Sequence, residues 1–269
     1  MIHLKYKDKV NYITGSDINE KPNVPFDNIV CDFLSTLSKL IMINKDSKNY
    51  PDLISFAFWC RSSNLLKIKE KSLDKNTRLG RGISFHITPS NLPINSLFSL
   101  AFGLLSGNSN IIKLPSKNFK QIDLFILLFK NTVNKKKYKN LKNKFLFIKY
   151  ESEDVITKYF SGLSNSRLIW GGDNTIQKIK KIDSKPRTID LSFADRFSIA
   201  ILNSEKISLL NKKELNKLVI NFFNDTYIYD QNACSSPHLI IWKGKKYQVA
   251  RNLFWNALNK IIISKYKLT

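Results

Sequence analysis

The sequence predicts an α/β protein with an open, mostly parallel sheet and helices flanking it. Five short apolar runs recur from Gly82 onward, at 83–87, 110–114, 145–149, 167–170 and 198–202. Helix-like stretches at 93–105, 118–132, 153–162 and 173–181 separate them. Each stretch is long enough to cross over a sheet, and parallel strands need such crossovers because a tight turn cannot join them.

Residues 1–75 read as a helical lead-in to that sheet. Pro25 and Asp27 can start a helix through Phe33, Leu34, Leu37 and Leu40, and Pro51 and Asp52 a second through Ile54, Phe58, Leu65 and Leu66. Residues 76–230 then form a dinucleotide-binding domain. Residues 231–269 carry a cysteine loop and a last helix over 248–266.

Composition narrows the function classes. A chain of 269 residues with 43% hydrophobic content buries one large core or two smaller ones. Cys31, Cys60 and Cys234 are odd in number and widely spaced, which gives neither a disulfide framework nor a metal or redox pair and fits a reducing cytoplasm. Residues 1–10 are charged and alternating, and no apolar run approaches the length that crosses a bilayer, so neither export nor a membrane span is expected. The net charge of +23 raises nucleic acid as a partner. However, only positions 61, 78, 81, 167, 187, 196 and 251 are arginine, the residue that reads phosphates and bases with two bonds, so no nucleic-acid role is expected. The densest basic cluster, 134–144, reads as a solvated loop. His3, His86 and His238 lie far apart, which predicts no metal site and makes His86, within an apolar run, a hydrogen-bonded core residue.

In open parallel sheets ligands lie beyond the carboxyl ends of the strands, so the loops there are the candidate site. The first is Thr88-Pro89-Ser90-Asn91-Leu92-Pro93. Its prolines bracket Asn91, which serves either as an oxyanion donor or as a cap for the helix near Pro93. The second places Lys113, Ser116 and Lys117 at a strand end. The third, Gly171-Gly172-Asp173, opens a helix whose free N–H groups suit a pyrophosphate. Cys234 ends the polar loop Asp230-Gln231-Asn232-Ala233-Cys234, just ahead of an apolar run at 239–242. Its polar neighbours would solvate a thiolate, so it is either a nucleophile or a loop cysteine of no consequence.

Together these segments resemble the aldehyde dehydrogenase superfamily. The longer motifs Arg167-Leu168-Ile169-Trp170-Gly171-Gly172-Asp173, Phe193-Ala194-Asp195-Arg196-Phe197-Ser198 and Asp230-Gln231-Asn232-Ala233-Cys234-Ser235-Ser236-Pro237 resemble the LuxC-type acyl-CoA reductases, over roughly 80–242. The resemblance implies an aldehyde-dehydrogenase-like fold and NADPH-dependent reduction of a fatty acyl thioester, on CoA or a protein, to the aldehyde. It assigns Cys234 as the acylated nucleophile and Asn91, with the Cys234 backbone N–H, as the oxyanion holder. Lys113 falls to the adenosine ribose, Gly171 and Gly172 to the cofactor phosphates, and Thr88 and Pro89 to the cofactor's border. Many NAD-using relatives carry a glutamate where Ser116 stands, and a hydroxyl beside Lys117 accepts a 2′-phosphate that a carboxylate would repel, so NADPH is expected over NADH.

Asp190 occupies the position nearest the superfamily's glutamate base. Only residues 235–269 follow Cys234, whereas the superfamily places a large catalytic domain there. The resemblance therefore implies that the second domain is largely missing, that a further domain or partner chain completes it, and that exposed apolar surface makes the chain oligomeric. The rival expectation is a catalytically incomplete nucleotide-binding or complex-forming module.

Overall fold

In the computed structural model, placement is described for all residues except 1, 4, 7, 16, 73–75, 152 and 267–269, and for the backbone alone at 2 and 3. The elements are β1 (Ile2–His3), β2 (Asn11–Tyr12), β3 (Asp17–Ile18), α1 (Asn28–Ile43), α2 (Pro51–Trp59), α3 (Ser62–Ser72), β4 (Ile83–Ile87), α4 (Asn95–Leu105), β5 (Ser109–Lys113), α5 (Lys120–Val133), β6 (Phe145–Lys149), α6 (Asp154–Leu163), β7 (Ser166–Gly171), α7 (Asp173–Lys180), β8 (Ile189–Ala194), β9 (Ser198–Asn203), α8 (Ser204–Ser208), α9 (Lys212–Thr226), β10 (Pro237–Lys243) and α10 (Tyr247–Lys265).

Asp27 starts α1 as expected, its carboxylate accepting from the N–H groups of Ile29 (2.9 Å) and Val30 (3.3 Å). Val30, Phe33, Leu34, Leu37 and Ile41 recur at helical spacing and are buried. Pro51 opens α2 at its first position. The continuation of that helix through Leu65 and Leu66 is corrected: the chain breaks at Cys60, and α3 begins at Ser62. Side chains take carbonyls that an unbroken helix would use, with Arg61 Nε donating to Phe58 O (2.9 Å) and Asn64 Nδ2 to Trp59 O (2.8 Å).

The main sheet has the order β2-β6-β5-β4-β7-β8, with β2 antiparallel and the other five strands parallel. Every residue of β4 is buried, as a central strand covered on both faces requires. Phe85 packs on Phe160 of α6, while the next residue, His86, bonds Ser99 of α4. Because alternate strand residues face opposite ways, α4 and α6 cover opposite faces. The α6 and α7 face holds Phe85, Ile87, Ile111, Ile169, Phe160, Ile176 and Ile179 in one cluster. On the α5 face, Phe125 and Phe129 pack edge-on against Phe147.

The fifth parallel strand is β8, not 198–202. Ile189, Leu191 and Phe193 alternate with Asp190 and Ser192 in this edge strand, so no continuous apolar run marks it. The run at 198–202 becomes β9, which pairs in parallel with β10 in a separate two-stranded sheet. The basic cluster is also corrected. Lys136–Lys144 forms a 3-10 helix anchored by fully buried Tyr138, whose hydroxyl donates to Asp32 Oδ2 (2.7 Å) and lies 2.7 Å from the Thr36 hydroxyl. The lysines hid an aromatic anchor in a stretch that composition alone marks as solvent.

The chain divides into two compact units, Met1–Ala194 and Asp195–Thr269, a boundary ahead of residue 230. In the second unit, Val219, Phe223, Phe254, Leu258 and Ile261 of α9 and α10 pack with Leu202, Ile240 and Trp242 of the strands. The alternate strand residues Ile199, Ile201, Leu239 and Ile241 are exposed. A capping box joins Asn211 to Glu214 at the start of α9. Among the described residues, no helix is long and apolar enough to cross a membrane.

His86 is a hydrogen-bonded core residue, as expected. It is fully buried, with Ser99 Oγ 2.7 Å from Nδ1 and Asn110 Oδ1 2.9 Å from Nε2. Burial pushes its pKa down to about 4 from 6.5. Between those values the unfolded chain binds a proton that the folded chain refuses, so stability falls as pH drops through that window and is flat above it. Urea unfolding of the first unit across pH 4 to 7 should show that loss, and His86→Gln should flatten it.

Candidate active site

Winding of the sheet locates the site. From central β4 the chain moves outward through β5 and β6, then returns to the other side of β4 for β7 and β8. The direction reverses between β4 and β7, and a crevice outside the carboxyl ends of those strands is where such sheets hold ligands. The loop after β4 carries Thr88, Pro89 and Asn91, and the turn after β7 carries Gly171 and Gly172. Lys113, Ser116 and Lys117 follow from the adjacent β5.

Thr88 Oγ1 donates to Lys113 O (2.6 Å), fastening the first loop to the end of β5. Ile94 holds the cap position of α4 without a side-chain bond of its own, and Asn91 lies exposed in the loop before it. Lys113 is half-buried, with Nζ 4.8 Å from the Tyr150 ring centroid. Burial lowers its ammonium pKa, and Glu151 opposes that shift. Ser116 and Lys117 are exposed in the turn that follows.

Gly171 closes β7 at φ +157°, where an added Cβ would lie 3.2 Å from the Thr175 side chain. Gly172 caps α7 with no side-chain bond, and a Cβ there would meet nothing within 4 Å. A glycine turn feeding a helix start that no side chain caps, with Lys113 at the end of β5 on the far side of β4, fits the phosphates of a dinucleotide.

Asp190 is held in an ion pair. Its carboxylate takes two bonds from Arg167, Nε to Oδ1 and Nη2 to Oδ2, both at 2.7 Å. Arg167 is 2% exposed and also donates to Ile179 O (3.2 Å) and Ile182 O (2.8 Å). Asp190 is the second residue of β8, which puts it roughly 13 Å along the strand from the carboxyl end where the crevice lies. There it ties β8 to β7 at the edge of the sheet.

Cys234 lies in the second unit on a tightly held turn. Asp230 and Gln231 both take left-handed backbone angles, φ 48° and 58°, an arrangement that non-glycine residues adopt only under constraint. Gln231 N donates to Thr226 O (2.9 Å), Asn232 N to Tyr229 O (2.8 Å) and Ser236 N to Ala233 O (2.8 Å). Ser198 Oγ donates to the Cys234 carbonyl (2.6 Å), which ties the turn to β9. Ala233 and Ser236 are buried while Cys234 itself is exposed. The turn is thus rigid beneath a solvent-facing thiol. Cys31 is partly covered and Cys60 is buried, and burial raises both of those thiols above the ordinary value.

The acyl-CoA reductase (LuxC) family model matches residues 59–262, about three quarters of the chain and both units. The chain belongs to this family. Within and around it, the long-chain acyl-protein thioester reductase of Aliivibrio fischeri is 23% identical over 180 residues, which cover 67% of this chain and 35% of that protein. An aldehyde dehydrogenase from Bartonella henselae matches with a TM-score of 0.58 and 15% identity, covering 87% of this chain and 52% of its own. Aldehyde dehydrogenase C from Pseudomonas syringae, solved with NAD+ and octanal, matches with a TM-score of 0.59 and 13% identity, covering 87% and 50%. The fold of this LuxC-family chain is therefore aldehyde-dehydrogenase-like, an open and mostly parallel α/β sheet. It spans about a third of the curated relative and about half of the solved structures.

Sequence reasoning missed two groups. Arg167 was legible as part of a motif, but its pairing with Asp190 was not. Trp170 belongs to the same motif, but the bond that its indole N–H donates to Ser99 Oγ (3.2 Å) was not legible, and Ser99 carried no signal beyond lying in an apolar helix.

Proposed function

We propose that this chain is the cofactor-binding and thiol-bearing part of a reductase that converts a long-chain fatty acyl thioester, on CoA or on a protein, to the aldehyde. Membership of the LuxC family supports the substrate class. The observation that carries the chemistry is the Cys234 thiol, exposed on a turn that hydrogen bonds hold in place.

Cys234 Sγ, as thiolate, attacks the acyl carbon. The bond to the carrier sulfur breaks, the carrier leaves as its own thiolate, and the acyl group remains on Cys234. The Cys234 backbone N–H donates to the oxyanion formed in that attack, a role that the family resemblance also gives to the Asn91 amide. A bound nicotinamide supplies the hydride that takes the acyl group to the aldehyde level. Cys234 then leaves as thiolate, ready for another acyl group. No side-chain base is needed to activate water, which agrees with the structural role of Asp190. A reducing compartment, the cytoplasm, keeps the thiol free.

Lys113, Gly171 and Gly172 hold the dinucleotide, bordered by Thr88 and Pro89. Ser116 and Lys117 accept a 2′-phosphate, which makes NADPH the cofactor. Ser116→Glu should raise the NADPH dissociation constant about tenfold or more by like-charge repulsion while leaving NADH binding little changed. Titration of nicotinamide fluorescence with each dinucleotide checks this.

The half-length span of the solved relatives supports two further statements. Additional polypeptide, continuous or separate, completes the acyl tunnel, and the exposed aliphatic residues of β9 and β10 make the chain self-associate without it. The second reading is a nucleotide-binding or complex-forming module without catalysis. Incubation with palmitoyl-CoA and NADPH separates the readings. Stoichiometric release of free CoA with slow aldehyde formation is expected, whereas NADPH binding without any CoA release would establish the module instead.

A further inference from the structure

A buried polar relay passes through the first unit beneath the crevice. Trp170 Nε1 donates to Ser99 Oγ (3.2 Å), Ser99 Oγ lies 2.7 Å from His86 Nδ1, His86 Nε2 lies 2.9 Å from Asn110 Oδ1, and Asn110 Nδ2 donates to Asn108 O (2.9 Å). Its chemistry fixes every direction. A backbone carbonyl only accepts, so the Asn110 amide nitrogen faces Asn108 and its oxygen must accept from His86 Nε2–H. The buried imidazole is neutral, so Nδ1 has no proton and accepts from the Ser99 hydroxyl. That hydroxyl, having given its one hydrogen, accepts from the indole, which only donates. Nothing in the chain of bonds is left to rotate.

The relay joins four elements at the switch point, namely β4, α4, β5 and β7. Gly103 of α4 makes room for it, since a Cβ there would land on the Asn110 carboxamide. Trp170 is its outermost member and the residue immediately before the glycine turn. Its indole also stacks on Phe193 of β8, with ring centroids 4.1 Å apart and planes 11° from parallel. The ring is thus fixed by a stack toward one neighbouring strand and a hydrogen bond toward α4.

We propose that Trp170 is a positioning residue for the dinucleotide: it anchors the end of β7 to α4, so that the Gly171–Gly172 turn keeps the backbone geometry that receives the cofactor phosphates. This rests on the dinucleotide reading of the crevice. The indole touches no reacting atom; it acts through the turn that follows it and through Ser99.

Two variants cut the same bond from opposite ends. Trp170→Phe keeps an aromatic ring on Phe193 but has no donor, and Ser99→Ala removes the acceptor. Each should weaken NADPH binding about fivefold, and the double variant should be no weaker than Ser99→Ala alone, because that substitution, which also costs His86 its donor, already removes the bond that Trp170→Phe removes. Nicotinamide fluorescence titrations well below the thermal midpoints of the variants give these constants. Amide exchange at Gly171 and Gly172 should quicken in both variants without cofactor present. A purely packing role would lower the thermal midpoint and leave both readouts at the wild-type level, which would overturn the proposal. Additive losses in the double variant would overturn it too, since they would mean two independent effects. Faster exchange at the turn in a protein that binds no NADPH even as wild type would uphold the anchoring while removing the cofactor reading on which its purpose rests, so the two failures are distinguishable.

Discussion

Arg167→Ala should destabilise the first unit by about 3–5 kcal/mol, the largest stability loss expected from a single substitution in the sheet. Arg167 is almost wholly enclosed, and its guanidinium closes two bonds to Asp190 and two to the carbonyls of Ile179 and Ile182. Alanine leaves a carboxylate and two carbonyls without that donor and opens a cavity between α7 and the edge of the sheet. Urea unfolding followed by circular dichroism measures the loss. Asp190→Asn, which keeps the shape and one acceptor, should cost about 1–2 kcal/mol. At a temperature where both proteins are folded, it should leave acyl transfer to Cys234 unchanged within about twofold, because the carboxylate sits at the opposite end of its strand from the crevice. A large loss of acyl transfer in a folded Asp190→Asn protein would restore the base assignment.

Cys234→Ala should lower thioester cleavage by on the order of 10⁴-fold or more, since among the described residues Cys234 is the one exposed thiol. Cys60 is buried with a raised thiol pKa, and Cys31 is partly covered and likewise raised, so neither offers a competing thiolate. The substitution removes one exposed sulfur from a turn whose backbone bonds do not involve it, so the thermal midpoint should stay near that of the parent. Release of free CoA from palmitoyl-CoA, compared between the two proteins, gives the ratio. Release by the alanine variant at a comparable rate would mean that the thiol is a bystander.

Much of this architecture is written in local patterns. Short apolar stretches such as 111–112, 145–148 and 168–170 mark the parallel strands, and β4, which alternates Ile83, Phe85 and Ile87 with Ser84 and His86, is nonetheless buried on both faces. The crossover lengths between them then leave little choice of topology. The strand that escaped, β8, is half-exposed, and its alternation of Ile189, Leu191 and Phe193 with polar residues gives a weaker signal than the run at 198–202 that displaced it. Tyr138 escaped for a related reason: six lysines in 135–144 outvote one aromatic side chain in any compositional reading, although its burial decides the local structure.

The candidate site was legible where chemistry is tied to a short segment. The glycine turn, the lysine at the end of β5 and the cysteine loop each announce themselves in a few residues. The Arg167–Asp190 pair and the Trp170–Ser99–His86–Asn110 relay do not, because their members are separated by 13 to 71 positions and meet only when the sheet has formed. A sequence shows which polar residues lie in apolar surroundings; the partner that satisfies each one is a property of the fold.

The account depends on an acyl group resting covalently on Cys234. Intact-mass and peptide mass spectrometry after incubation with palmitoyl-CoA, without NADPH, tests this most directly. The predicted result is a single palmitoyl adduct on the peptide containing Cys234, discharged by hydroxylamine, lost on addition of NADPH and absent from Cys234→Ala. An unmodified Cys234 in a protein that binds NADPH, or an adduct that persists in Cys234→Ala, would contradict it.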